Sequence, residues 1–202
     1  MVHNSLVKSV HKRLIRNADL AELIGIILGD GNLYKYPRTE SLRVICDSKD
    51  VGYIRHIARL IKKVFDKRPS IIKRKNENTT VVCLYEGKIS ERLHIPLGNK
   101  IKNKVRIPIW ATLNKRYIIR CLKGLFETDG CFQEDKSNYA QYIEFKNDCK
   151  KLREDVYSLL LKLGLNPQLG HNYVRLAKRS EVYKFKELIE FRNYNNCPVV
   201  QW

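Results

Sequence analysis

Between Lys49 and Phe65 the apolar residues Tyr53, Ile57, Leu60, Ile61 and Val64 follow one another at steps of 4, 3, 1 and 3, one stripe of a helix packed on a core. A second apolar run predicts a helix from Asn17, a residue suited to the N-cap, to a stop at Asp30-Gly31. Strands are predicted at 32–36 and 42–47 around a turn containing Pro37, and a second hairpin at 70–76 and 79–86. A short helix at 88–94 follows. Past the Gly-, Pro- and Lys-rich run from Pro96 to Pro108 the order recurs: helix 117–128, strands 131–134 and 139–146, helix 149–163, strands 168–171 and 173–178, helix 181–191. The expected class is α+β, two αββαββα units in one chain.

The recurrence is visible in the residues themselves. Leu23-Ile-Gly-Ile-Ile-Leu-Gly-Asp30-Gly31 returns as Leu122-Lys-Gly-Leu-Phe-Glu-Thr-Asp129-Gly130, displaced by 99 positions. The same displacement carries Val44 to Ile143, Ile57 to Val156, Leu60 to Leu159 and Val64 to Leu163. The chain is therefore read as a basic N-terminal arm (1–16), a first half (17–97), a connector (98–112) and a second half (113–202).

Composition narrows the partner. Lys and Arg number 39 against 21 acids, a net charge of +18 spread along 202 residues, so a polyanion is the natural ligand. Charge alone does not separate a nucleic-acid binder from a nuclease. No run reaches the roughly 18 apolar residues of a membrane span. The cysteines Cys46, Cys83, Cys121, Cys131, Cys149 and Cys197 form no CxxC pair, which argues against a zinc site and for reduced thiols in an intracellular compartment.

A single helix ending in Asp-Gly is an ordinary stop, since glycine suits the C′ position. Two in register ask for more. Small residues four apart, Gly25 and Gly29 in one helix and Gly124 and Thr128 in the other, allow two backbones to approach closely. Side by side, the helices bring Asp30 and Asp129 together at their C-terminal ends, where the macrodipole adds negative potential. Paired carboxylates of this kind suit Mg²⁺, which takes its remaining ligands from water and phosphate oxygens and assists phosphodiester hydrolysis.

Both nonapeptides match the LAGLIDADG pattern, and over residues 17–192 the chain resembles the single-chain, two-motif, intron-encoded members of that homing endonuclease family. The resemblance implies two pseudo-symmetric units packed through the motif helices, with antiparallel sheets forming a saddle over the DNA major grooves. It implies a monomer that cleaves both strands of a long, non-palindromic double-stranded DNA site using Mg²⁺, with Mn²⁺ able to substitute and Ca²⁺ binding without cleavage. Asp30 and Asp129 take the place of the family's metal-binding acids, with the adjoining Gly29 and Thr128 at the same centre. Lys104, before Ile107-Pro108, fits the family's basic helper and reads equally as a solvated connector lysine; the second helper is unassigned. Asp47 and Lys146, paired by the 99-residue displacement, either approach the metals or are strand-end surface residues. Glu127, matched to Leu28, reads as an interface acid.

Strand alternation then assigns a DNA face. Leu42, Val44 and Cys46 point inward, leaving Arg43 and Asp47 outward with Ile45, and Tyr142, Glu144 and Lys146 in the second half. Tyr34, Lys35, Arg38, Lys73, Arg74, Lys75, Gln133, Lys136, Tyr173 and Arg175 join them as candidate DNA contacts. Two other functions share the motif: an RNA maturase acting on intron RNA, and a DNA-binding regulator that does not cut. The start at Met1-Val2-His3 and the end at Gln201-Trp202, without a final His-Asn, are read as those of an independent reading frame rather than an intein.

Overall fold

The computed structural model describes residues 12–75, 77–135 and 140–192. The first half is built from α1 (Ala18–Gly29), β1 (Gly31–Lys35), β2 (Glu40–Asp47), α2 (Val51–Phe65), β3 (Ser70–Lys73), β4 (Thr79–Glu86) and α3 (Ile89–Leu93). After a 3-10 turn at Ile109–Thr112 come α4 (Lys115–Asp129), β5 (Gly130–Asp135), β6 (Ala140–Lys146), α5 (Lys150–Lys162), β7 (Gln168–Leu169), β8 (Tyr173–Leu176) and α6 (Arg179–Ile189). This is the expected α+β class, with αββαββα order in each half. Each half carries one four-stranded antiparallel sheet, ordered β1-β2-β4-β3 and β5-β6-β8-β7.

α1 starts where the Asn17 side chain accepts the Leu20 N–H at 2.9 Å, and every residue from Leu20 to Gly29 is buried. A helix apolar on all sides belongs inside a protein, and α1 lies against α4 along its length. A Cβ on Gly25 would strike the Cys121 carbonyl, one on Gly124 the Glu22 carbonyl, and one on Gly29 the Thr128 hydroxyl. The four small positions therefore do hold the interface. α4 begins two residues earlier than its periodicity suggested, because Asn114 caps it by accepting from Arg116 N at 2.8 Å. The short helix α3 is bounded by left-handed residues, Lys88 (φ 56°) and His94 (φ 56°), which no apolar periodicity signals.

The buried residues of both halves form one core, and the connector takes part in it: Val105, Ile107, Trp110 and Ala111 are buried. Residues before α1 cross this region, with the Arg16 carbonyl accepting from the Tyr117 hydroxyl at 3.1 Å.

The 99-residue displacement lapses on β6. Gly31 pairs with Val44, but Gly130 pairs with Phe145, so the first hairpin of the second half is longer by one residue in each strand. By strand pairing, the counterpart of Val44 is Phe145 rather than Ile143, Arg43 corresponds to Glu144, and Ile45 to Lys146. Inward and outward faces survive, because a shift of two preserves the alternation.

Candidate metal centre and nucleic-acid interface

α1 and α4 deliver their last turns to one place. Asp30 follows α1 as its C-cap, its N–H bonded to Ile26 O at 3.0 Å, and Asp129 is the last residue of α4. Asp30 keeps access to water, yet partial desolvation by the surrounding protein, to which the charge of Asp129 adds, lifts its pKa from 3.8 to about 6 against the opposing pull of Lys100. Asp129 is likewise raised by desolvation, opposed by a hydrogen bond from Asn147 and by Lys100. Two desolvated carboxylates at two helix C-termini, the charge of one raising the pKa of the other, form a site that a cation would relieve. Among the described residues no group of three or more His, Cys, Asp or Glu could hold a metal ion. A divalent cation on these two acids would need water or substrate oxygens to complete its shell, as Mg²⁺ commonly does.

The basic residue at these acids is Lys100, not Lys104. Lys100 Nζ donates to the carbonyls of Leu28 (2.9 Å) and Gly29, closing the C-terminal end of α1, and its charge acts on both Asp30 and Asp129. Desolvation outweighs the two carboxylates and brings the Lys100 pKa down from its ordinary value. Lys104 instead occupies a left-handed turn (φ 47°) and is exposed, lining a surface cleft of about 520 Å³ with His94, Pro96 and Asp155. The sequence offered several lysines within one connector, and only the path of the chain distinguishes them. Gly29 gives its carbonyl to Lys100, and the Thr128 hydroxyl turns back onto Gly124 O (3.1 Å) and Leu125 O (2.8 Å). Both are thereby occupied as helix-contact positions.

Asn147 carries no signal in the 99-residue repeat. Its Nδ2 donates to Asp129 Oδ2 at 2.7 Å, while its Oδ1 accepts from Cys149 N. Strand pairing makes Cys46 its counterpart, and Cys46 stands beside Asp30: desolvation, then Asp30 and Asp50, push its thiol up to about 12. Each acid thus has a different neighbour, an amide donor in one half and a protonated thiol in the other. Neither Asp47 nor Lys146 plays that part. Asp47 Oδ1 caps a turn through Lys49 N (2.9 Å), and Lys146 Nζ reaches Glu144 Oε1 (3.2 Å).

Glu127 lies in the ion network on the flank of the helix pair. It accepts from Arg192 N (3.0 Å) and Nη1 (2.7 Å), and Arg192 also meets Glu22, which contacts His56 and Arg120. Glu22 is fully buried, so its charge needs these partners, and their fields and hydrogen bonds bring its pKa down despite desolvation.

Away from the helices, each sheet presents an open face. Tyr34, Lys35, Arg38 and Gln133 are exposed, and Lys73, Arg74 and Lys75 gather at the tip of the β3–β4 hairpin. Lys136 lies outside the described residues. Cross-strand rows show how unlike the two faces are. Ile45, Val81 and Ile72 stand in one row on the first sheet, and the counterparts of the first two on the second are Lys146 and Tyr173. Glu144 corrects an expectation: it is buried on the open face, with Oε2 bonded to Arg175 Nε (2.7 Å) and Oε1 to Lys146, so it braces bases rather than presenting an acceptor to DNA.

Residues 116–193 match the family model of the LAGLIDADG-like domain. Among curated proteins the chain is similar to the tRNA-splicing ligase RtcB of Methanopyrus kandleri (25% identical over 190 residues) and of Pyrococcus furiosus (27% over 191). Each match covers 82% of this chain and 19% of the relative, so the chain spans about a fifth of the length of these proteins. Among solved structures it is similar to I-DmoI in complex with DNA and Mn, at 25% identity and a TM-score of 0.61 over 87% of this chain and 98% of that one. The N-terminal LAGLIDADG domain of DUF199/WhiA shares the fold, at 16% identity and a TM-score of 0.60 over 87% and 82%. With both motif helices packed as the interface and an acid at the end of each, residues 116–193 are a LAGLIDADG-like domain, and the chain has the fold of the LAGLIDADG proteins it resembles.

Proposed function

We propose that this chain is a divalent-metal-dependent endonuclease that cuts both strands of a long, non-palindromic double-stranded DNA site. The observation that carries the reading is the meeting of Asp30, Asp129 and Lys100 at the joined ends of α1 and α4. Asp30 and Asp129 would hold the metal, for which Mg²⁺ is the proposed physiological ion, Mn²⁺ a substitute and Ca²⁺ a binder that does not support cleavage. The bound ion supplies positive charge at the scissile phosphate and lowers the pKa of water. Lys100, its pKa lowered by desolvation, is suited to exchange a proton with that water or with the leaving oxygen. Asn147 holds one carboxylate oxygen of Asp129 and fixes its direction. The unlike rows of the two sheets favour a target whose halves differ, and the net charge of +18 supplies phosphate contacts. The full chain acts as one monomer, since both acids come from one polypeptide.

The test is selection of cut sites from a pool of random DNA duplexes in Mg²⁺, with Asp30→Asn and Asp129→Asn as controls. Double-strand cleavage at one asymmetric sequence, lost in either variant with binding retained, is the expected result. Specific binding without any cut in Mg²⁺ or Mn²⁺ would refute the nuclease and leave a DNA-binding regulator. Binding confined to RNA would refute DNA as the substrate.

A further inference from the structure

Each open sheet face holds one arginine in a tyrosine clamp. On the first sheet, Arg43 Nη2 donates to the hydroxyls of Tyr36 and Tyr85 (3.4 Å to the latter), with its guanidinium carbon 5.8 Å from the Tyr36 ring centre. Tyr36 itself packs edge-on against Tyr34 at 4.8 Å, which fixes the ring that holds the arginine. On the second sheet, Arg175 lies between Tyr142 and Tyr173, 4.4 and 4.5 Å from their centres, with Nε (2.7 Å) and Nη2 (2.5 Å) on Glu144 Oε2.

The clamps occupy matching places. Arg43 pairs with Cys83 in the first sheet and Glu144 pairs with Arg175 in the second; since Arg43 corresponds to Glu144, Cys83 corresponds to Arg175. One cross-strand row in each half therefore offers a fixed guanidinium, on β2 in one sheet and on β8 in the other.

A phosphate contact asks little of a side chain's direction, and a free lysine or arginine suffices. Reading a base edge requires donors held in a set plane before DNA arrives, because each rotamer frozen on binding costs affinity. A guanidinium has five donors in a rigid fork, so an edge held by tyrosine or glutamate leaves a second pair for another partner. In the major groove the matching acceptor pair is O6 and N7 of guanine. We infer that Arg43 and Arg175 are guanine readers, one for each half of the DNA site, while the hairpin-tip residues Lys73, Arg74 and Lys75 hold phosphates. The inference rests on the proposed reading of the sheets as the DNA-contacting surface.

Selection of bound duplexes from a random pool in Ca²⁺ tests it without requiring cleavage. The wild-type protein is expected to fix at least one guanine in each half-site. Arg43→Lys and Arg175→Lys, which keep the charge, are each expected to lose about ten- to a hundredfold of the preference for one guanine, in opposite halves, with the salt dependence of binding unchanged. Replacing those guanines by 7-deazaguanine, with the protein unaltered, is expected to weaken binding in the same halves, which covers the case of a variant that fails to fold. Equal weakening on all sequences, a reduced salt slope, both variants acting on one half, or indifference to 7-deazaguanine would overturn the assignment while leaving DNA recognition standing. No enriched duplex at all would overturn the assignment and the proposed function together.

Discussion

Asp30→Asn should make the metal-free protein more stable while abolishing its catalysis. The raised pKa of Asp30 means that the folded chain holds a proton there more tightly than the unfolded chain, whose carboxyl titrates near 3.8. Stability from that proton is fully present below 3.8 and is lost as pH rises toward about 6, so at neutral pH the charged carboxylate weighs against folding. The rise from 3.8 to about 6 would correspond to about 3 kcal/mol. Asp30 is accessible to water, and screening reduces that to about 1 kcal/mol. Asparagine keeps the shape and removes the charge, and Lys100 keeps Asp129 and the helix carbonyls as partners. The measurement is thermal unfolding in EDTA from pH 4 to 8. The variant should melt about 2–4 °C above wild type at pH 7 and show a flatter profile between pH 4 and 6. Added Mn²⁺ should raise the wild-type midpoint and leave the variant's unchanged. A variant less stable than wild type at pH 7, or one with the wild-type pH profile, would refute the claim that desolvation and the neighbouring Asp129 charge disfavour the ionised Asp30.

Four other substitutions test the centre and the helix pair that builds it. Lys100→Met should lower the cleavage rate by about 10²- to 10⁴-fold with DNA affinity nearly unchanged, whereas Lys104→Met should leave the rate within about twofold; equal effects in single-turnover assays would void the distinction. Asn147→Ala removes the hydrogen bond that lowers the Asp129 pKa, so the acid limb of the pH–rate profile should move to higher pH, and an unmoved limb would show that Asn147 does not tune Asp129. Gly25→Ala places a methyl against the Cys121 carbonyl, where backbone must shift, and should cost about 1–3 kcal/mol in urea unfolding; a neutral effect would show that the helices do not meet as closely as described.

The helices, their order and the two acids were legible because hydrophobic period and a repeated nonapeptide are properties of sequence alone. What the repeat could not carry was register. A residue added to each strand of one hairpin leaves the apolar alternation intact, so the displacement of 99 still looked sound on β6 while the paired positions had moved by two. The displacement therefore matches Asp47 with Lys146 and does not point to Asn147, one residue on. Lys100 was hidden for a different reason: which of several connector lysines reaches the acids depends on how Val105, Ile107 and Cys149 anchor the connector, with Cys149 Sγ 3.5 Å from Val105 O. Glu144 looked like a surface acceptor because alternation gives the face a side chain points to and says nothing about who covers it.

These differences share a cause. The helix interface admits almost no variation, since backbones touch at Gly25 and Gly124 and any side chain there would part the two acids. The open sheet faces carry no such constraint, because a change there alters neither the core nor the meeting of Asp30 with Asp129. A duplicated chain of this kind can therefore keep a nearly symmetric centre while rows of its two faces diverge, as the row Ile45, Val81 against Lys146, Tyr173 has done. The divergence reaches the edge of the centre itself, where Cys46 and Asn147 stand beside equivalent acids. Both acids feel Lys100, but Asp129 also accepts a hydrogen bond from an amide where Asp30 has a protonated thiol in the equivalent place, so Asp129 is better prepared to stay ionised. Swapping the pair as Cys46→Asn with Asn147→Cys should exchange which acid titrates higher, read from carboxyl chemical shifts in the metal-free protein. If the two acids keep their order, their difference comes from the helices and not from these neighbours.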